Sequence, residues 1–158
     1  MGKKSLDVMP RRIWIGALAL VLTAAPTLAQ LQPGAIGRIK VASGSAFILR
    51  AGGLVPAQAG QVVFEADSLR TGADGRLGIT LKDDTRVSLG PGSEVRLDRF
   101  VYAPAEGRMG FVLHVVRGVI AYVSGRIAKL SPDSIRLETP AAVAGVRGTT
   151  LAMQVVPE

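Results

Sequence analysis

Few residues in this chain are of the types that do chemistry, and their spacing narrows the set further. There is one histidine, His114, and no cysteine. Without cysteine, disulfides and thiolate metal sites are excluded. A single histidine excludes multi-histidine metal centres and weakens any histidine-based triad. His114 stands in the apolar run F-V-L-H-V-V (111–116), so it reads as a core or half-exposed histidine rather than a lone base. Glu65 and Asp67 are two residues apart, which on a strand places both on one face, the arrangement that glycoside hydrolysis uses. No Trp or Tyr lies nearby to carry a sugar ring, so both are expected to be charges on a solvated face. Asp83-Asp84 offers adjacent carboxylates, but a calcium loop needs alternating acids and a distal Glu, so a turn is expected. Ser124 lies in S-G-R, not in the G-x-S-x-G of a nucleophile elbow. No catalytic residue, metal site or cofactor is therefore expected, and the chain is not expected to be an enzyme.

The elements that would position these residues are short strands. After Gln30 no stretch free of Gly and Pro exceeds eleven residues, and packed helices commonly need about 10–12. Leu77, Ile79 and Leu81 alternate with Arg76, Gly78, Thr80 and Lys82; Thr85, Val87 and Leu89 alternate with Arg86 and Ser88; Val95 and Leu97 sit between Glu94, Arg96 and Asp98. That is period two, the pattern of half-buried strands. Segments 111–116 and 119–123 are apolar on both faces, as in strands covered on both sides. Ile135 and Leu137 form a further strand, and 149–156 another. G-R-I-K-V-A-S-G (37–44) echoes G-V-I-A-Y-V-S-G (118–125), which raises a duplicated β-coil. The fold class expected is all-β: short strands with Gly/Pro turns, β-helix-like, as a solenoid or a twisted sandwich.

The N-terminus reads as a targeting segment. Lys3, Lys4, Arg11 and Arg12 precede an uncharged apolar run at 13–25, and Thr27 and Ala29 place small residues at −3 and −1 of a cleavage site. This is the layout of a secretory signal peptide over 1–29, with the mature domain at 30–158. An uncleaved membrane anchor is the alternative, and Arg11-Arg12 loosely matches a twin-arginine export signal as well as a general one. The expected location is the periplasm or the exterior. The whole chain carries 19 basic and 12 acidic residues, net +7. Removal of 1–29 takes away Lys3, Lys4, Arg11, Arg12 and Asp7 and leaves 15 basic and 11 acidic residues, net +4. These are interspersed, without the clustered basic stripe or the stacking aromatics that nucleic-acid binding needs; aromatics are 4% of the chain. A nucleic-acid partner is not expected.

The run D-S-L-R-T-G-A-D-G-R-L (67–77), the following I-T-L-K-D-D-T-R-V-S-L-G-P-G-S-E (79–94), V-R-G (116–118) and T-P-A-A-V-A-G-V-R-G-T (139–149) together resemble the FecR domain, in order and spacing. The opening G-R-I-K-V-A-S-G is similar to that family's start, so the resemblance spans 36–155. It implies an all-β, β-helix-like periplasmic domain of the kind that relays transporter occupancy in iron-dicitrate regulators. Those regulators also carry a cytoplasmic anti-sigma segment and a C-terminal domain that meets the transporter. Only twelve residues precede the apolar run and none follow Glu158, so neither part is expected here. What carries over is an exported binding or sensing module, with a structural or cell-wall-associated domain as the alternative. Its partner is expected to be another envelope protein or an anionic envelope polymer. Membrane contact is expected only through an uncleaved signal segment, and the resemblance does not imply an oligomeric state.

The residues that carry this signature are Arg70, Thr71, Gly72, Asp74, Gly75, Gly90, Pro91, Gly118, Gly145, Arg147, Gly148 and Thr149. Most are of types that shape backbone. Asp74-Gly75 is a hairpin or turn signal through positive φ, Gly72 ends a strand in the same way, and Gly90-Pro91-Gly92 makes a sharp corner. Gly145 and Gly148 suit a bulge or close backbone packing around Arg147. Arg70 and Arg147 could instead bind a partner's carboxylate through the planar fork. If Arg147 is paired internally, Glu138, Asp98 and Glu94 are its possible carboxylates. From the alternation alone, Ile79→Ala should cost about 2–5 kcal/mol in denaturant titration and Lys82→Ala no more than about 0.5. Equal costs would mean that the faces are assigned one residue out of register.

Overall fold

Alternating apolar residues and glycine-rich corners build twelve strands in the computed structural model, which describes residues 34–146 and 150–156. The expected signal segment, 1–29, lies outside the described residues, as do Arg147, Gly148 and Thr149. The strands are β1 (Ala35–Ser43), β2 (Ala46–Arg50), β3 (Gly53–Pro56), β4 (Val62–Phe64), β5 (Ser68–Thr71), β6 (Arg76–Leu81), β7 (Arg86–Leu89), β8 (Glu94–Ala103), β9 (Arg108–Val123), β10 (Ile135–Glu138), β11 (Val143–Gly145) and β12 (Thr150–Val155). One short helix, α1 (Arg126–Leu130), follows β9. It was not anticipated, because five residues are too few to show a helical period; Ile127 alone buries its side chain there.

Two layers emerge from the pairing. One sheet runs β4-β1-β6-β7-β9-β12 and the other β3-β2-β5-β8-β9-β10-β11. β9 belongs to both: its first half pairs with β8 and β10, its second half with β7 and β12. A strand that bends from one sheet into the next is how orthogonal or barrel-like β packing turns a corner. Every pair is antiparallel except β10 on β9. The chain is thus all-β, and its largely antiparallel sheet curls into a half-barrel rather than stacking as the parallel coils of a solenoid. The two echoing octapeptides lie in β1 and in the second half of β9, in the same sheet. Their closing glycines differ in role: Gly44 starts a passage between sheets, whereas Gly125 leads into α1.

The inner faces meet in one core. Ile39, Leu77, Ile79, Leu81, Val87, Leu89 and Ile120 come from one sheet, and Ile48, Leu69, Val95, Leu97, Leu113 and Leu137 from the other. The alternation expected at Ile79, Leu81 and Val87 holds: they are 2%, 3% and 0% exposed, and Lys82 is exposed. Phe111 stacks against Tyr122 at 6.2 Å and meets Phe100 edge-on at 6.1 Å, joining the two halves of β9 to β8. The double-sided burial expected of 111–116 and 119–123 does not occur. Phe111, Leu113 and Val115 are buried, but Val112, His114 and Val116 are only partly covered and Val119 is 47% exposed. Among the described residues, no layer packs on that outer face.

Four passages between the sheets lie side by side: Gly44-Ser45 (β1 to β2), 72–75 (β5 to β6), 90–93 (β7 to β8) and Gly118 within β9. They are tied by backbone hydrogen bonds. Gly72 N–H donates to Ser45 C=O (2.7 Å), Gly92 N–H to Gly72 C=O (2.9 Å), Thr71 N–H to Ser93 C=O (2.9 Å) and Gly90 N–H to Val119 C=O (2.8 Å). Backbones this close leave no room for side chains. A Cβ on Gly75 would overlap the Ser45 carbonyl oxygen, and one on Gly72 would lie 2.8 Å from Ser45 Cβ. Gly118 combines both demands, a φ of +93° and a Cβ position 2.7 Å from Ser93 Cβ. Gly72, Gly75 and Gly90 do not have positive φ. Their role is close approach. Of the hairpin or turn expected at Asp74-Gly75, the turn is present, closed by Gly75 N–H donating to Gly72 C=O (3.0 Å), but it passes between sheets: β5 and β6 are not paired with each other.

Three substitutions separate these roles by denaturant titration. Gly118→Ala, strained and overlapping, should cost about 2–4 kcal/mol. Gly92→Ala, at φ +62° with open space around it, should cost about 1–2 kcal/mol. Gly145→Ala, with neither constraint, should stay within about 0.5–1 kcal/mol of the parent, in either direction. Equal losses at all three would contradict the packed seam.

Candidate functional site

The signature residues divide into two groups. Arg70, Thr71, Gly72, Asp74, Gly75, Gly90, Pro91 and Gly118 converge on the seam of passages. Gly145 lies on β11, where nothing among the described residues approaches the position of its missing Cβ and its φ is not positive. Among the described residues, β11 pairs only with β10 and all three of its residues are exposed; Arg147 and Gly148, the rest of the motif for which a bulge or close packing is expected, lie outside them.

Side chains complete the seam. The Thr71 hydroxyl donates to Gly90 C=O (2.7 Å) and accepts from Ser93 N–H (2.9 Å). The Ser93 hydroxyl accepts from Val119 N–H (3.0 Å) and donates to Val119 C=O (3.1 Å), in the gap that Gly118 leaves. Thr71 and Ser93 are 3% and 0% exposed, so these bonds satisfy backbone groups that water does not reach. The Asp74 carboxylate accepts from Ser45 N–H at 3.3 Å, and hydrogen bonding from Ser45 holds its pKa below the usual carboxylate range. That contribution is present at neutral pH and lost on acidification through the lowered pKa. Ser93 had escaped attention in the sequence, since a Ser beside Gly-Pro-Gly looks like any turn residue.

The carboxylates considered for catalysis are bound internally. Asp67 is 1% exposed rather than a solvated charge: Arg50 grips it with two bonds (Nε–Oδ1 2.8 Å, Nη2–Oδ2 2.6 Å), and Phe64 N–H donates to Oδ2 at 2.8 Å. The Asp67 hydrogen bond raises the Arg50 pKa, and that guanidinium lies 4.5 Å over the Phe64 ring. Glu65 turns elsewhere and accepts from Phe100 N–H at 3.0 Å, so the two acids do not form a pair. Asp83 is fully buried at the β6–β7 turn, as the turn reading expects. It accepts from the Thr85 N–H (3.1 Å) and hydroxyl (2.7 Å) and from Ile127 N–H (3.3 Å), anchoring α1 to the hairpin.

What remains is the outer face of the second sheet, where register arranges charge in rows across β5, β8, β9 and β10. In one row Arg70 binds Glu94 through two bonds (2.8 and 3.2 Å), and Arg117 reaches the same carboxylate at 3.3 Å. Arg70, offered by the sequence as a possible partner-binding fork, therefore has an internal carboxylate, which raises its pKa. In the next row Arg96 and Glu138 flank His114. Glu138 is 3.8 Å from His114 Nδ1, and Arg96 forks onto Asp98. Potential ligand atoms of Asp98, His114 and Glu138 lie within 4.8 Å of one another. A divalent cation there would compete with the Arg96 guanidinium that already holds Asp98. In the third row Arg99 and Arg136 are both cross-strand neighbours of Val112. Both line a cavity of about 240 Å3. Among the described residues, neither has a carboxylate within ion-pair distance.

Asp67→Asn tests the internal use of these acids. It leaves the Arg50 guanidinium without its counter-charge and should cost about 2–4 kcal/mol in denaturant titration, reduced from a full burial penalty because Arg50 is partly exposed. Arg108→Ala, which removes a pair with Glu106 at the exposed β8–β9 turn, should change stability by no more than about 0.5 kcal/mol.

Comparison with known proteins gives one finding. The model of the family described as FecR protein matches residues 67–157, from the carboxylate that Arg50 holds to beyond the end of β12. β1 to β4 precede the matched region, although β1, β2 and β4 supply Ile39, Ile48 and Val63 to the same core. No curated protein and no solved structure matches the chain significantly. The match takes in more than half of the chain and every described signature residue, both those of the seam and Gly145; by it, the chain belongs to the FecR protein family, a family of signalling regulators.

Proposed function

We propose that this protein is an exported, non-enzymatic FecR-family module that works in the cell envelope by binding another envelope protein. The observation that carries the reading is the fate of the groups that could do chemistry. Glu65, Asp67 and Asp83 each hold backbone or a guanidinium in place, so none is left poised beside a nucleophile or a base. Export is supported by the basic, apolar and small-residue layout of 1–29. A binding role is supported by a rigid sheet whose outer face carries fixed charges, since arginine forks held by neighbouring strands are pre-organised for a partner.

Fractionation and N-terminal sequencing test the export half. The protein should be recovered from the periplasm or medium, beginning at Gln30. A start at Met1 in the membrane fraction would overturn cleavage, and retention in the cytoplasm would overturn export. In-cell cross-linking tests the binding half: a defined envelope protein should be captured by this chain. Capture of cell-wall or lipopolysaccharide material alone would instead support the cell-wall-associated reading.

A further inference from the structure

Of the three charged rows on the outer face of the second sheet, two contain their own carboxylates and one does not. In that third row, Arg99 on β8 and Arg136 on β10 are both register partners of Val112 on β9 between them. Their backbones are thus two strand spacings apart, about 10 Å. Both side chains line one cavity of about 240 Å3. Gly110, two residues along β9, lets the Arg99 guanidinium lie over the strand: the position of its missing Cβ is 3.8 Å from Arg99 Nε and 4.0 Å from Cζ. Met109 and Val112 add apolar wall. Asp133 is the acid on the wall; it is itself engaged and lies outside ion-pair distance of either arginine.

We propose that Arg99 and Arg136 form a clamp for one carboxylate presented by a partner protein. Two planar forks facing a shared floor suit a carboxylate, which accepts paired N–H donors. The volume is below the range of about 300–1,000 Å3 typical of small-molecule pockets, and it suits a single acidic group with a short apolar stem. A protein fits better than a polyanion. The neighbouring rows interleave Glu94, Asp98 and Glu138 with their arginines. A continuous string of phosphates would meet those carboxylates, whereas one acidic side chain or chain terminus would not. This inference rests on the binding role proposed above and names its chemistry.

The test is a titration of the 15N-labelled full-length chain with defined probes. One is a capped peptide with Glu between two Leu; the others are its Gln counterpart, a Glu-free peptide with a free C-terminus, and inorganic phosphate. The Glu peptide should saturate with shifts at Gly110, Val112 and Ser134, and the Gln peptide should bind at least 10-fold more weakly. Arg99→Gln and Arg136→Gln should each weaken binding at least 5-fold without lowering the melting temperature, Arg99→Lys should weaken it less, and Arg117→Gln should leave it unchanged. Tighter binding of the free-terminus peptide would identify a chain terminus as the carboxylate source and keep the clamp. Equal binding of Glu and Gln peptides, insensitivity to both Gln variants, or preference for phosphate would overturn it. The two readings fail separately. If cross-linking captures the same envelope protein with Arg99→Gln and Arg136→Gln as with the parent, the binding function stands and the clamp falls. If the chain is never exported, the function falls whatever the peptides do.

Discussion

The rest of the structure depends on backbone passing backbone without side chains between. At the seam, four chain passages lie against one another, and each needs a carbonyl or amide of its neighbour at hydrogen-bond distance. Any Cβ at Gly72, Gly75 or Gly118 would enter that space. The glycines give up strand propensity there, and burial of two inner faces in one core offsets that loss. Thr71 and Ser93 finish the seam, because a buried N–H or C=O at a corner has no ladder partner and must find a hydroxyl.

Once the passages are set, strand register follows, and with it the placement of charge. Gly118 brings β9 from one sheet into the other, so its first half lies between β8 and β10. Side chains from three strands are then neighbours on one outer face: Arg99 and Arg136 beside Val112, Arg96 and Glu138 beside His114. A bulge at Asp98, between Leu97 and Arg99, makes the local adjustment. Buried side chains lie on either side of it, while Asp98 and Arg99 both avoid the core.

The electrostatics separate anchors from reserves. Asp67 and Asp83 are buried, and each is compensated by several donors, as a buried charge must be. Arg70, Arg96 and Arg117 share carboxylates on the surface, where pairs are worth little to stability but fix side-chain direction.

Period-two alternation from Arg76 to Leu97 determined which residues point inward, since a strand has two faces and water selects between them. It therefore gave the all-β class and the core positions of Ile79, Leu81 and Val87. The signature glycines were legible as backbone devices, but the reason for them was not. Sequence suggested positive φ at Gly72 and Gly75, whereas the cause is a neighbouring chain at Ser45, distant from both in sequence. The exposed second face of β9 was equally hidden, because an apolar run looks alike whether one sheet or two cover it. The partners of Arg70 and Asp67, and the carboxylate-free row of Arg99 and Arg136, were decided by tertiary structure alone. Local pattern records how each residue meets water, whereas pairing between β8, β9 and β10 brings together side chains that the sequence keeps apart.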